Sequence, residues 1–157
     1  MIRALLLVSA VGAGVGAGVF FAFSTFVMRA LGTLPTVQGV AAMQAVNRAA
    51  PHPLFMLVLF GTAATGVAAG VSALRDPSAP GAAPAIVGAG LALVPVILTI
   101  CYHVPYNDRL AGLDPVAPAT ADYWAAYLSR WTAANHVRCL TGIGAATSFA
   151  LAYRGLR

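Results

Sequence analysis

Residues 54–74 read LFMLVLFGTAATGVAAGVSAL, a run without one charge between His52 and Arg75. As a helix rising 1.5 Å per residue, such a run covers about 30 Å, the hydrocarbon thickness of a bilayer. The same character recurs on both sides of it. An apolar stretch runs from about Ala4 to Met28 between Arg3 and Arg29, a third covers 85–103, and a fourth lies within 133–153. The first stretch is too long for a secretory signal, and three more follow it. The expected architecture is therefore all-α: one membrane domain over residues 1–157, a four-helix transmembrane bundle with spans near 4–28, 54–74, 85–103 and 133–153. Composition agrees, because the 157 residues are 60% hydrophobic and 8% charged, whereas soluble domains carry roughly a quarter charged residues. A soluble fold of this size could not bury so much apolar surface, and disorder requires the opposite composition.

The connections have their own signals. Pro35 precedes TVQGVAAMQAVNRA (36–49), which reads as a short interfacial helix between spans one and two, closed by Pro51 and Pro53. Residues 75–84 (RDPSAPGAAP) read as a turn-rich loop, and 101–120, with three prolines, as an irregular one. Pro95 predicts a kink in span three that frees a carbonyl. Gly12 with Gly16, and Gly14 with Gly18, form two overlapping GxxxG spacings suited to close helix contact.

The formal charge of +5 comes from nine arginines against four aspartates. The arginines are scattered singly, which excludes a nucleic-acid surface. Arg3, Arg75, Arg154 and Arg157 fall on the side of the termini. Arg29, Arg48, Arg109 and Arg130 fall on the other, with Arg138 slightly inside span four. The free amino terminus tips this balance toward cytoplasmic termini in a multi-pass protein of the cell membrane. No acidic residue lies within a span, which excludes an intramembrane carboxylate relay and catalysis by paired carboxylates. Cys101 and Cys139 form no CxxC pair and are expected as free thiols.

Polar residues gather at the end away from the termini: Asn47, Arg48 and His52 before span two, His103, Asn107 and Asp108 after span three, and Trp131, Asn135, His136 and Arg138 entering span four. Tyr127, Trp131, Asn135 and Arg138 are spaced i, i+4, i+8, i+11 and share one helix face, while His136 and Cys139 share another. A charge at the depth of Arg138 needs an acceptor. Asp108, a carbonyl freed by Pro95 and an anionic ligand are the candidates, against an arginine that merely snorkels to the headgroups. The NDR string after Pro105 can equally be a helix-ending turn.

Taken together, GVFFAFSTFVMRAL (18–31), MQAVN (43–47), VPYNDRL (104–110) and the W-x-x-x-N-x-x-R element of Trp131, Asn135 and Arg138 resemble the anthrone oxygenase-like family. These are small integral-membrane proteins, largely a domain of unknown function. The resemblance implies a membrane oxidoreductase that turns anthrones into anthraquinones with molecular oxygen and no established organic cofactor. For that chemistry His136, then His103, would be the base that takes the substrate's acidic methylene proton. Arg138, Asn135 and Asn107 would hold the developing enolate oxygen. Trp131, Trp124 and Tyr127, with Asn47, would seat a planar lipophilic aromatic substrate, although interfacial Trp and Tyr also serve as membrane anchors.

The alternative is a metal- or ligand-binding membrane protein without turnover. His52, His103 and His136 are the chain's three histidines, and a four-span topology brings them to one end. Imidazoles of this kind suit a transition metal, copper, iron or zinc. The bilayer is the evident partner, a homo-oligomer is compatible with the sequence, and a purely structural bundle is the non-enzymatic possibility.

Overall fold

An apolar segment in hydrocarbon must satisfy every backbone amide internally, and each long apolar run of this chain is helical. The computed structural model describes residues Met1 to Leu156, among which there is no strand. Arg157, counted above for the orientation, lies outside the described residues. In chain order the helices are α1 (Ile2–Ala22), α2 (Met28–Thr33), α3 (Thr36–Ala49), α4 (Pro53–Leu74), α5 (Ala82–Leu98), α6 (Val104–Ala111) and α7 (Pro118–Gly155). Two five-residue π-turns, Phe23–Val27 and Thr99–His103, join α1 to α2 and α5 to α6 without breaking the rods. Three continuous stretches, Ile2–Thr33, Pro53–Leu74 and Ala82–Ala111, are long and apolar enough to cross a membrane. The protein thus has the helices of a membrane protein.

Local chemistry sets most boundaries. Pro53 and Pro118 stand in the first turns of α4 and α7, where a missing N–H costs no helix bond. The His52 ring caps α4, its Nδ1 accepting from the Leu54 N–H at 3.3 Å. Gly81 opens α5 at a φ of +84°, and a Cβ there would sit 2.6 Å from the Ala152 carbonyl oxygen. Both conformation and close approach therefore require glycine at this position.

The stretch 101–120 is not the irregular loop that its prolines suggest. The rod of α5 runs on through the second π-turn and α6 as far as Ala111. Pro105 directly follows the second π-turn, where the regular bonding to the fourth residue back is already interrupted. The loop shrinks to the residues between Ala111 and Pro118. Gln44 of α3 pins its start, the Nε2 donating to the Leu110 and Leu113 carbonyls at 3.0 Å each.

The four long rods pack in the cyclic order α1–α4–α5–α7, and the 38-residue α7, about 57 Å long, runs beyond any bilayer core. Arg3 lies over the Tyr153 ring at 5.0 Å, so the beginning of α1 and the end of α7 meet at one end. There the core is built from Leu6, Phe149 and small residues such as Ala69, Ala85 and Ala152. Phe149 is wedged between Gly66 and Gly88, where an added Cβ would meet its ring at 2.8 Å in either case. The two GxxxG spacings part company. Gly12 and Gly16 face Thr62 and Val58 of α4, whereas Gly14 and Gly18 have open space before them. At the other end α3 and α6 cover a core of Met28, Val40, Met43, Leu110, Trp124, Tyr127 and Trp131.

Candidate functional site

Between these two cores, both π-turns lie against α7. A π-turn shifts backbone bonding from the fourth to the fifth residue back, as when the Val104 N–H donates to the Thr99 carbonyl. That shift changes which carbonyls are free to accept side chains. At the first turn the Asn135 Nδ2 donates to the Phe20 carbonyl at 2.7 Å and to the Ser24 hydroxyl at 2.8 Å. At the second, His103 Nδ1 lies 3.0 Å from the Leu98 carbonyl. A carbonyl only accepts, so Nδ1 carries the hydrogen and Nε2 presents its lone pair. The first pair of bonds ties α7 to the first rod, whereas the His103 bond stays within the rod of α5 and the second π-turn.

Arg138 lies at that level and is 6% exposed. One terminal nitrogen donates to the Asn135 Oδ1 at 2.7 Å and the other to the Thr99 hydroxyl at 3.1 Å. Thr99 in turn donates to the Pro95 carbonyl at 2.7 Å, in the usual manner of a threonine four residues on. The guanidinium also stands over the Phe20 ring at 4.5 Å and the Trp131 ring at 5.2 Å. A hydroxyl, an amide and two ring faces are its partners; none is a carboxylate. Asp108 is exposed and does not serve as the acceptor. Nor does a carbonyl freed by Pro95 serve, since the acceptors are the Asn135 oxygen and the Thr99 hydroxyl.

Among the described residues, two buried polar atoms at this level lack a hydrogen-bond partner, the Arg138 Nε and the His103 Nε2. Both residues touch Trp131, whose ring meets the His103 imidazole edge-on at 5.0 Å. One atom is a donor and the other an acceptor. Buried polar groups are normally paired, and an orphaned pair of opposite sense is what a small polar ligand would satisfy. A void of about 30 Å³ lined by Phe20, Pro95, Ala92 and Gly142 adjoins this level. It has room for a diatomic molecule or a water and not for a ring system.

The residues singled out in the sequence divide into three groups. Arg138, Asn135, Trp131 and Tyr127 share the buried face of α7. Within it, the amide of Asn135 is fully engaged, so this residue positions Arg138 and has no free hydrogen for a ligand. Asn107 is engaged through its oxygen, which accepts from the Tyr127 hydroxyl at 2.6 Å and the Trp131 indole at 2.9 Å. Asn47 reaches the Tyr127 hydroxyl at 3.4 Å. Burial raises the Tyr127 phenol above its ordinary pKa, which keeps it a donor. The aromatic rings are not open faces. Tyr106 stacks on Tyr102 at 5.1 Å and on Tyr127 at 5.7 Å, and Tyr127 on Trp124 at 5.6 Å. Trp124, Tyr127 and Trp131 cover one another's surfaces in a closed column.

The histidines do not converge. His103 is 1% exposed, His52 is an exposed helix cap and His136 is exposed on the outer side of α7. Among the described residues no three His, Cys, Asp or Glu side chains come together as a metal site. The topology that brings the three to one end leaves them on different faces. Cys101 and Cys139 are both free, the first exposed and the second buried. Thr99 and Phe20 were passed over in the sequence. Thr99 had a signal, its spacing from Pro95; Phe20, one aromatic among many in an apolar run, had none.

The fold and this site define a helical membrane protein with a buried, carboxylate-free guanidinium in its interior. Residues 55–148, more than half of the chain, match the anthrone oxygenase family, and the chain belongs to that family. The match includes the VPYNDRL and Trp131–Asn135–Arg138 elements and leaves the two earlier ones outside it. No curated protein and no solved structure matches the chain.

Proposed function

We propose that the protein is a membrane oxidoreductase that uses molecular oxygen on a lipophilic aromatic or phenolic substrate, as the family's description suggests. In this reading α7 supplies the fourth span over about 133–153 and α3 lies at the interface. The chain then forms a multi-pass bundle of the cell membrane with cytoplasmic termini. The observation that carries the function is the unpaired donor and acceptor at Arg138 Nε and His103 Nε2, held rigidly against Trp131.

An anthrone methylene is acidified by its ketone. Admission of the ring requires this interior level to open; the His103 Nε2 then takes one methylene proton, and the Arg138 Nε–H donates to the oxygen on which enolate charge develops. Donors already fixed in a dry interior stabilise such charge without reorganising. The carbanion carbon, now electron-rich, adds dioxygen and takes up a proton to give a hydroperoxide. Loss of the second hydrogen from that carbon, with cleavage of the O–O bond, leaves a carbonyl and releases water. One oxygen atom ends in the product and one in water, so no external reductant is consumed. His136, the first base expected from sequence, stands outside this interior level; the orphaned nitrogen favours His103.

The test is Arg138→Lys, which keeps the charge but loses the planar fork. Purified in detergent and compared per folded protein, the variant should consume oxygen on the order of a hundredfold more slowly with a model anthrone. Equal rates would leave Arg138 a structural role alone, joining Asn135 to Thr99.

A further inference from the structure

The interior level has no room for a ring system, yet a larger concavity adjoins it. A groove of about 690 Å³ runs between the first π-turn with α2 on one side and α7 on the other. This is within the range of small-molecule sites, about 300–1,000 Å³. Its walls carry Ser24 and Arg29 from the first rod, and Leu128, Ser129, Thr132 and His136 from α7. The lining has cationic and imidazole groups, hydroxyls and apolar side chains, but no carboxylate. Arg29 and His136 are exposed rather than buried in an ion pair. The groove is also linked to the interior. Its Ser24 hydroxyl accepts from Asn135 at 2.8 Å, and Asn135 accepts from Arg138 at 2.7 Å. The wall between them is the π-turn, where regular helix bonding is interrupted.

We propose that this groove is the binding site at which the substrate is taken from the membrane interface: a planar aromatic body bearing a phenolate or enolate oxygen. The apolar wall at Leu128 receives the ring, and Arg29 and His136 receive the anionic oxygen. The proposal rests on the oxygenase reading for the identity of the ligand. The binding itself does not depend on turnover. An anionic lipid headgroup presents the same chemistry, an oxyanion on an apolar body, and the experiment separates the two.

The probe is 1,8-dihydroxyanthraquinone, titrated onto the full chain in phosphatidylcholine nanodiscs and read by quenching of the protein's tryptophan emission. Ser129→Trp fills the groove from an exposed position and should weaken binding on the order of tenfold, with Arg29→Gln weakening it less. Thr132→Phe, on the same wall, reads the same effect if the first variant melts early. Unchanged binding in both groove-filling variants overturns the proposal. So does loss of wild-type binding when phosphatidylglycerol replaces phosphatidylcholine, because a headgroup then occupies the groove. The two readings fail separately. If probe binding falls in Ser129→Trp while no form consumes oxygen, the groove stands and the oxygenase reading falls. If wild type consumes oxygen and Ser129→Trp binds and turns over normally, the groove falls and the oxygenase reading stands.

Discussion

At the end where the termini lie, the helices touch through alanine and glycine; at the other they are held apart by aromatic rings and joined by hydrogen bonds. The difference follows from what can hold helices together where lipid is as apolar as the protein. Exchange of apolar contacts with lipid for apolar contacts with protein gains little by itself. Association then depends on close backbone approach or on polar bonds. The Phe149 wedge between Gly66 and Gly88 is the first solution. The network from Ser24 through Asn135 and Arg138 to Thr99 is the second. The first solution yields a seam of small residues to which a Ser9–Thr65 hydrogen bond at 2.8 Å is added. The second requires buried polar groups, and two of these remain unpaired.

The contrast can be broken most forcefully at its packed end. Phe149→Ala removes a fully buried ring from among four helices, and should cost about 3 kcal/mol or more in a reversible detergent unfolding measurement. The fraction that remains folded should keep its turnover, since the ring lies away from the polar level. A selective loss of activity at unchanged melting would mean that the two ends are not independent. Arg138→Lys is the mirror-image experiment: turnover should fall about a hundredfold, with a stability loss of only about 1 kcal/mol for the bond to Asn135 or Thr99 that lysine gives up.

Smaller effects sharpen the picture. Tyr127→Phe removes one of the two donors to Asn107 and should lower stability by about 1 kcal/mol. A much larger loss would show that the aromatic column is a single cooperative unit. The smallest difference concerns the glycines of α1. Gly12→Ala would drive a methyl into the Thr62 hydroxyl and lower the melting temperature. Gly14→Ala has nothing within 4 Å and should leave it level or slightly raised. Equal losses from both would place an additional partner, such as a second copy, on the Gly14 face.

Much of the helical framework was legible because it follows from local quantities: run length, hydropathy, and the positions of proline and charge. The stretch 36–49 forms a helix of those bounds, and the i, i+4, i+8, i+11 spacing correctly puts Tyr127, Trp131, Asn135 and Arg138 on one buried face. Prolines misled at 101–120, since a proline in a first helical turn and one that ends a helix look alike in sequence. At the candidate site, the residue types were legible and the division of labour was not. Asn135 read as a free amide because sequence does not show which bonds are already made. Trp124, Tyr127 and Trp131 read as open faces because sequence does not show what stacks on them.

By itself, then, the sequence determined that the chain is helical and suited to a membrane, and that a cation on α7 would need an acceptor, because burial of charge in hydrocarbon is costly wherever it occurs. The tertiary structure decided which acceptor. Two π-turns packed against α7 bring Ser24, Thr99 and His103 to one level of it, while His52 and His136 stay outside. Such coincidences of height and rotation are relations between helices, carried by no single segment.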